Sequence, residues 1–401
     1  MRISIAQSAT ASFRAARPAC RSWGDRATAR LVSPTTSDDL VSFGEGLLAI
    51  LDRGSFTSTY KYAVLMALLD LAQESTQKNG DAPTMVTTRQ LATRVIELYW
   101  PQTKEYEEFA KPDGQRVLGQ NLPQRDKGDQ AEVVRLIAEF RTCHGGRATP
   151  HRAQLEAKED WEALLTAVEW KLVEMPLPRL QIIGGQPRPF LYQINWGPDI
   201  RRRHFKSSEF DNRILFMPGA AEHMARLAGL LRPLIQREWS SLVARFNGLP
   251  SARLEDHLFG VDRTALKTVR GPLFDLQEAQ CFYCARALKA DAMEVDHFIP
   301  WARHPNDAIE NLVGAHAGCN ASKSDYLAAP RHLERWVHRL QTRADDLRQI
   351  GQEKLWESAG PASFSIARGI YLRLPEQTPL WEASQRFAAS ARAELASLLA
   401  A

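Results

Sequence analysis

Two pairs of residues between positions 281 and 319 have the spacing of a zinc site. Cys281 and Cys284 are separated by two residues, and so are His316 and Cys319. Two such pairs bring four ligands around one tetrahedral ion, here a Cys3His set. The alternative, small core cysteines beside a surface histidine, does not explain why both pairs share one spacing. The sequence therefore predicts structural Zn²⁺, which contributes on the order of 10 kcal/mol to folding in small modules.

Residues suited to phosphodiester hydrolysis lie between and just after these pairs. The reaction needs an activated water, neutralised charge on the phosphate and a stabilised leaving oxygen. A divalent cation held by few protein oxygens supplies the last two, and a neutral imidazole supplies the first. Successive side chains on a strand face opposite ways, but a strand that ends or twists at Pro300 lets two neighbours approach one site. The candidates are Asp296, His297, Asn311, Asn320 and Lys323.

The order of these residues resembles the HNH (ββα-metal) nuclease family. The chain reads Cys-x-x-Cys, then Val-Asp-His-Phe-Ile-Pro, then Asp-Ala-Ile-Glu-Asn-Leu-Val, then Cys-Asn-x-x-Lys-Ser-Asp. The resemblance covers about 50 of the 401 residues, and outside it the segment 58–74 and the long helix before the module look like parts of bacterial proteins that carry a C-terminal HNH domain. Two positions depart from the usual pattern: His316 stands where cysteine is more usual, and Asn320 stands where histidine is often found.

The resemblance implies a hairpin, a loop and a helix around a catalytic Mg²⁺ or Mn²⁺, with the helix entering the minor groove of duplex DNA. Asp296 and Asn320 correspond to ligands of this ion, and His297 corresponds to the general base. Asn311 corresponds to the residue whose amide holds the loop and orients the histidine. Lys323 lies one helical turn beyond Asn320, where its ammonium would approach the scissile phosphate.

Two basic segments are candidates for contact with the nucleic-acid backbone. The densest basic run is 201–206, which begins with three arginines. Such a run can bind phosphates, although a charge run is more often only a solvated surface. The second segment follows the Asp-His motif, and its histidine is interpreted as a loop or phosphate-contact residue rather than as the base. The candidates are Arg201, Arg202, Arg203, Arg303 and His304.

The overall composition describes an ordinary globular protein. The formal net charge of +4 permits a nucleic-acid partner without requiring one. Three of the five cysteines belong to the 281–319 cluster, which favours metal binding in a reducing compartment over a disulfide framework. No apolar run reaches the roughly 18–20 residues that span a bilayer. We expect a cytoplasmic protein with DNA as its partner, no membrane contact and a possible homodimer.

The predicted fold class is α+β: a mainly helical N-terminal region with a small β-hairpin, a zinc-stabilised HNH module and C-terminal helices. A helix–turn–helix in 58–100 is an alternative reading of part of the N-terminal region. The tail is expected to be disordered, and its arginines also permit a transit peptide. The predicted regions are 1–38 (tail), 39–250 (recognition or regulation), 251–330 (HNH module) and 331–401 (C-terminal helices). Helices are expected at 58–74, 87–100, 129–141, 158–173, 219–247, 331–357 and 379–400, and a hairpin around the turn at 184–189.

Together these features predict a metal-dependent endonuclease that hydrolyses DNA, in restriction or phage defence. Two alternatives remain open at this point. One is a zinc-stabilised nucleic-acid-binding module that has lost activity, and the other is an enzyme that cleaves RNA.

Overall fold

The computed structural model combines helices with small antiparallel sheets. It describes residues 37–54, 56–107, 109, 116–123, 129–144, 149–250, 254–260 and 265–400. Nearly all of the predicted disordered tail lies outside the described residues. Among the described helices, none is long and apolar enough to cross a membrane.

The first core is built around a helix that is apolar on almost every side. This helix, α2, is buried at 13 of its 15 positions, as expected for a segment with so little polar surface. Its N-cap residue is Thr59, whose hydroxyl bonds to Tyr99 Oη at 2.7 Å and makes no bond to the helix backbone. The next helix, α3, begins at a capping box between Thr87 and Gln90. The elements are α1 (Ser37–Arg53), α2 (Tyr60–Glu74), β1 (Met85–Thr87) and α3 (Thr88–Tyr99).

A three-stranded sheet links distant parts of this N-terminal region. The predicted hairpin is only partly correct, because strands β2 and β3 pair across the turn, whereas β4 pairs with β5. Strand β5 also pairs with β1, so α2 and α3 are separated by a sheet strand rather than by a helix–turn–helix turn. The elements are α4 (Glu132–Cys143), α5 (Pro150–Glu156), α6 (Lys158–Glu174), β2 (Ile182–Ile183), β3 (Gln186–Pro187), β4 (Tyr192–Gln193), α7 (Arg202–Phe205) and β5 (Arg213–Phe216).

The longest helix closes the first core. Helix α8 (Ala220–Asn247) continues through Pro233 as one element and packs against α2. It ends at Gly248, whose left-handed φ of 65° suits a residue without a Cβ atom. Helix α9 (Leu254–Phe259) follows and contributes the last residues of this core.

The second core joins the HNH segment to the C-terminal elements. Strands β6 and β7 form an antiparallel hairpin in which Met293 lies opposite His316 and His297 lies opposite Leu312. The predicted helix at 379–400 is wrong in its first half, where β8 and β9 form a hairpin. The elements are α10 (Lys267–Leu276), β6 (Met293–His297), β7 (Leu312–His316), α11 (Ala317–Lys323), α12 (Pro330–Thr342), α13 (Ala344–Lys354), α14 (Gly360–Tyr371), β8 (Pro379–Ala383), β9 (Arg386–Ala389) and α15 (Arg392–Leu399).

The two cores meet where α14 packs on α2. At the contact, Gly369 lies so close to α2 that an added Cβ atom would stand 2.8 Å from the carbonyl oxygen of Gln73. Real Cβ atoms essentially never approach a backbone oxygen this closely, so only glycine fits here without a shift of the two helices.

Candidate metal and active site

The four predicted zinc ligands come together in the structure. Their ligand atoms all lie within 4.8 Å of one another. Cys281 and Cys284 belong to a tight turn after α10, in which Ala285 has a positive φ of 55° and donates its N–H to the Cys281 carbonyl. His316 ends β7, and Cys319 lies in the first turn of α11. Hairpin and helix thus bring the two pairs to one place.

The chemistry of this cluster fits Zn²⁺. The Nδ1 atom of His316 lies 3.3 Å from Cys284 Sγ, and its Nε2 lies 3.0 Å from the Ala287 carbonyl oxygen. A carbonyl bonded to one ring nitrogen leaves the other nitrogen facing the thiols, as in zinc-bound histidines. Burial and the neighbouring thiolates of Cys281 and Cys284 raise the pKa of Cys319 to about 12. A cation among the sulfurs would offset this repulsion.

An aromatic residue of the cysteine turn connects the cluster to β6. The hydroxyl of Tyr283 donates to Asp296 Oδ2 at 2.5 Å, and the tyrosine ring is almost fully buried. Burial and the carboxylate of Asp296 raise the pKa of Tyr283 well above its usual value. The turn that would hold zinc therefore also fixes the first acidic residue of the Asp-His motif.

One face of β6 turns toward α11. Asp296 Oδ2 lies 3.0 Å from Lys323 Nζ, and Asn320 Nδ2 donates to Glu294 Oε2 at 2.8 Å. Glu294 and Asp296 are two residues apart in the strand, so they share this face. Carboxylate oxygens such as theirs, and the amide oxygen of Asn320, are of the hard type that Mg²⁺ or Mn²⁺ prefers.

Lys323 has a different position from the one expected. Its side chain is fully buried, and Nζ donates to the His297 carbonyl at 2.9 Å beside the carboxylate of Asp296. Because solvent does not reach this ammonium, it does not stand where a phosphate could bind it. The lysine instead holds the end of β6 against α11.

The imidazole of His297 contacts another set of residues. Its Nε2 lies 2.8 Å from Asp307 Oδ1, and its ring lies 5.3 Å from the ring of Trp301. Only 8% of the side chain is exposed. As strand alternation requires, Asp296 and His297 have separate partners among the described residues. Their convergence on one ion stays a prediction.

The amide of Asn311 ties together both ends of the loop between β6 and β7. Its Oδ1 accepts from Ile299 N at 2.8 Å, and its Nδ2 donates to the carbonyls of Ile299 and Asn306 at 3.1 and 2.9 Å. The side chain is fully buried. These contacts match the loop-holding position that the resemblance implies for this residue.

The residues predicted to contact nucleic acid divide into two groups. Arg201, Arg202 and Arg203 are exposed at the start of α7, next to the first core, and Arg303 is half-buried. His304 is fully buried, and its Nε2 lies 3.1 Å from Glu74 Oε1. This position corrects the sequence interpretation of His304, because a side chain enclosed by the protein offers no contact to a phosphate.

Three residues of the site were not found from the sequence. Tyr283 and Glu294 lie within or beside recognised motifs, but their types alone give no sign of a hydrogen bond to Asp296 or Asn320. Asp307 opens the Asp-Ala-Ile-Glu-Asn-Leu-Val segment of the family pattern, but only Asn311 of that segment was given a role. Its place in that segment, ten residues after the candidate base, was the available signal, and only the folded loop shows that the two meet.

Comparison with known protein families finds matches to two separate parts of the chain. The model of an HNH endonuclease family matches residues 281–329. The model of a family described as a domain of unknown function (DUF8808) matches residues 44–258. No curated protein matches significantly, and no solved structure does. Since the second match covers more than half of the chain, the protein belongs to the DUF8808 family, with an HNH endonuclease segment following the family domain.

Proposed function

We propose that this protein is a metal-dependent endonuclease that hydrolyses phosphodiester bonds in duplex DNA, in restriction or phage defence. The observation that carries the proposal is a histidine–carboxylate pair inside the HNH segment: His297 Nε2 lies 2.8 Å from Asp307 Oδ1. A carboxylate only accepts hydrogen bonds, so in this pair Nε2 carries the proton and donates it to the bond. The lone pair on Nδ1 is then free to accept a proton, as a general base requires.

The proposed ligands of the catalytic ion are Asp296 and Asn320, with Glu294 beside them. When bound there, Mg²⁺ or Mn²⁺ supplies positive charge for the phosphate and for the leaving oxygen. The ammonium of Lys323 already balances part of the negative charge of this face through its contact with Asp296. The proposed structural zinc is a separate ion that holds the hairpin to α11.

The chain's own contribution to hydrolysis centres on His297. Its Nδ1 removes a proton from water, the water oxygen bonds to phosphorus, and the bond from phosphorus to the sugar oxygen breaks. The contact with Trp301 restricts the ring to one side of the strand, and the bond to Asp307 stabilises the imidazolium that forms. The exposed arginines of α7 remain proposed contacts to the DNA backbone.

Cleavage of supercoiled plasmid in Mg²⁺ or Mn²⁺ tests the proposal. We expect the wild-type protein to relax or linearise the plasmid, and His297→Ala to be slower by about 10²- to 10⁴-fold, the usual contribution of a general base. His338→Ala, at an exposed histidine of α12, is the matched control and should cut at the wild-type rate. Equal cleavage by wild type and His297→Ala would refute the assignment of the base. Cleavage of structured RNA but not of plasmid would refute the substrate.

A further inference from the structure

We infer that the DUF8808 region orients the catalytic histidine, through the loop that joins β6 to β7 and carries Asp307. This inference rests on the proposed nuclease function, in which His297 is the base. It gives the family domain a role inside the active site, through residues other than the arginines of α7 that are proposed to contact the DNA backbone. The residues concerned are positioning residues that act through Asp307 on the imidazole.

The loop is attached to the N-terminal region by three polar contacts. Trp301 Nε1 donates to the Phe259 carbonyl of α9 at 3.0 Å. The guanidinium of Arg232, on α8, donates through Nε to the Arg303 carbonyl at 3.3 Å. These two contacts hold the loop by its side chain and by its backbone. The third contact is made by His304.

His304 enters a buried cluster of charges on the N-terminal helices. Its Nε2 lies 3.1 Å from Glu74 Oε1 and 4.0 Å from Asp70 Oδ1, both on α2. Asp70 also pairs with Arg232, and Glu74 pairs with Arg94 of α3. The imidazole is therefore surrounded by two carboxylates of α2, and each carboxylate is paired with an arginine, one on α3 and one on α8. Such a cluster accepts one arrangement of its members, because breaking any pair leaves an uncompensated buried charge.

The state of Glu74 supports this description. Burial alone would raise its pKa, but Arg94 and His304 together lower the pKa of Glu74 to about 2. The carboxylate is thus ionised at neutral pH and remains available to the histidine of the loop. The fixed φ of Pro305, directly after His304, limits how far the following residues can move.

Because His304 is held by the charge cluster, the residues that follow it in the loop, including Asp307, are also restricted in position. Between His304 and Asp307 stand only Pro305 and Asn306, and Asn306 Nδ2 donates to Ser363 Oγ of α14 at 3.2 Å. The Asp307 carbonyl accepts from Trp356 Nε1 at 2.6 Å. With its backbone held on both sides, Asp307 presents Oδ1 to His297 Nε2. The charge cluster on α2, α3 and α8 and the imidazole of the HNH segment are joined by one short, rigid piece of chain.

A measurement of the His297 tautomer tests the inference without requiring activity. In the full zinc-loaded chain labelled with ¹⁵N-histidine, the His297 signal is assigned as the one lost in His297→Ala. We expect Nε2–H as the single tautomer in the wild type and a mixture of tautomers in Asp307→Ala. Glu74→Gln should shift the signal in the same direction. Glu139→Gln, at an exposed ion pair of α4, is the matched control and should leave it unchanged.

Plasmid cleavage provides a second readout. Asp307→Ala should lower kcat by about 10- to 100-fold, the usual cost of losing a residue that orients a functional histidine, with KM unchanged. Asp307→Asn keeps an acceptor oxygen and should lose less. Glu74→Gln should lower kcat with KM and zinc content unchanged, whereas a general loss of structure would change zinc content as well.

The outcomes separate this inference from the proposed function. If no variant and no wild-type protein cuts DNA, the nuclease proposal fails, and the tautomer measurement still decides whether the N-terminal region orients the imidazole. A wild-type tautomer and rate in folded Glu74→Gln would overturn the inference. If Glu74→Gln does not fold, Arg232→Lys replaces it, because lysine keeps a charge for Asp70 and loses the bond to the loop. Unchanged tautomer and rate in Arg232→Lys would equally overturn it.

Discussion

The two constellations in the HNH segment are assembled in different ways. The Cys3His cluster is closed by local structure: a tight turn supplies two ligands, and the junction of β7 with α11 supplies the other two. The proposed hydrolytic residues lie on β6, in the loop and on α11, and contacts from other parts of the chain hold them. Tyr283 of the cysteine turn bonds to Asp296, and Asp307 of the loop bonds to His297. Trp356 in turn donates to the Asp307 carbonyl.

The difference shows what each kind of site needs from the rest of the protein. Four soft ligands around one ion are sufficient to specify a small site, because the metal itself provides the binding energy. A base and its orienting carboxylate gain no comparable energy from each other, so the surrounding fold must hold them. We therefore expect damage to the zinc cluster to spread to the hydrolytic site, and damage to the hydrolytic site to remain local.

Loss of one thiolate is the change with the largest expected effect. Cys281→Ser removes a buried member of the proposed zinc cluster, and the second core should unfold because zinc contributes on the order of 10 kcal/mol to such modules. Zinc per chain and thermal unfolding followed by circular dichroism measure the result. Cys143→Ser, at an exposed free cysteine outside the cluster, should behave as wild type. Full zinc occupancy in folded Cys281→Ser would contradict the assignment.

Removal of the Asn311 amide, which holds the loop, should destabilise the hydrolytic site without affecting the zinc cluster. Asn311→Ala leaves buried partners at Ile299 and Asn306 without their bonds, at a cost of about 2–4 kcal/mol in the free energy of unfolding. Zinc binding should persist, because no ligand is touched. Urea unfolding and zinc content together measure both expectations. The exposed Asn195→Ala is the control, and loss of zinc in Asn311→Ala would show that the two sites are not separable in this direction.

The smallest expected effect concerns Glu357, a carboxyl group that lies close enough to other charged side chains for them to change its pKa. Burial, followed by the carboxylates of Glu97, Asp307 and Glu74 and opposed by Arg94, raises the pKa of Glu357 from 4.5 to about 8. Between these values the folded state binds a proton that the unfolded chain has lost. The free energy of unfolding therefore decreases as pH rises from about 4.5 to 8.

Glu357→Gln should remove this dependence on pH. Relative to wild type, we expect the variant to gain up to about 3 kcal/mol in the free energy of unfolding between pH 5 and pH 8. Urea unfolding at several pH values measures the difference. Glu139→Gln, at an exposed position, should give a curve parallel to wild type. A parallel curve for Glu357→Gln as well would mean that this carboxyl is already ionised at neutral pH in the folded protein.

Much of the helical framework was predictable, because its signals are local. Pro101 marks the end of α3, and the apolar period with Gly248 at its end defines α8. The paired spacing of the zinc ligands is local in the same sense. Each of these features can be read within a window of a few turns of helix.

Three of the errors share one cause, which is that the partner lies far away in the sequence. The first is Tyr192, which pairs with Phe216 rather than across the nearby turn. The other two are Lys323 and His304, which were expected near a phosphate. Their side chains instead lie against the carboxylates of Asp296 and Glu74. A basic side chain beside a catalytic motif does not reveal from its type whether it faces solvent or a buried anion. The hairpin after 379 is a different case, because its two strands are neighbours in the sequence and its composition suggested a helix.

The contact of Gly369 with Gln73 also has a consequence for synthesis on the ribosome. Helix α2 emerges early, but the helix that covers it, α14, leaves the exit tunnel only after the HNH segment has been made. The same separation applies to the bond from Arg373 Nη2 to the carbonyl of Gly80, which joins residues 293 positions apart. A nascent chain therefore carries its complete HNH segment before the two cores can pack against each other, and termination of translation shortly after α11 would release a protein without that packing.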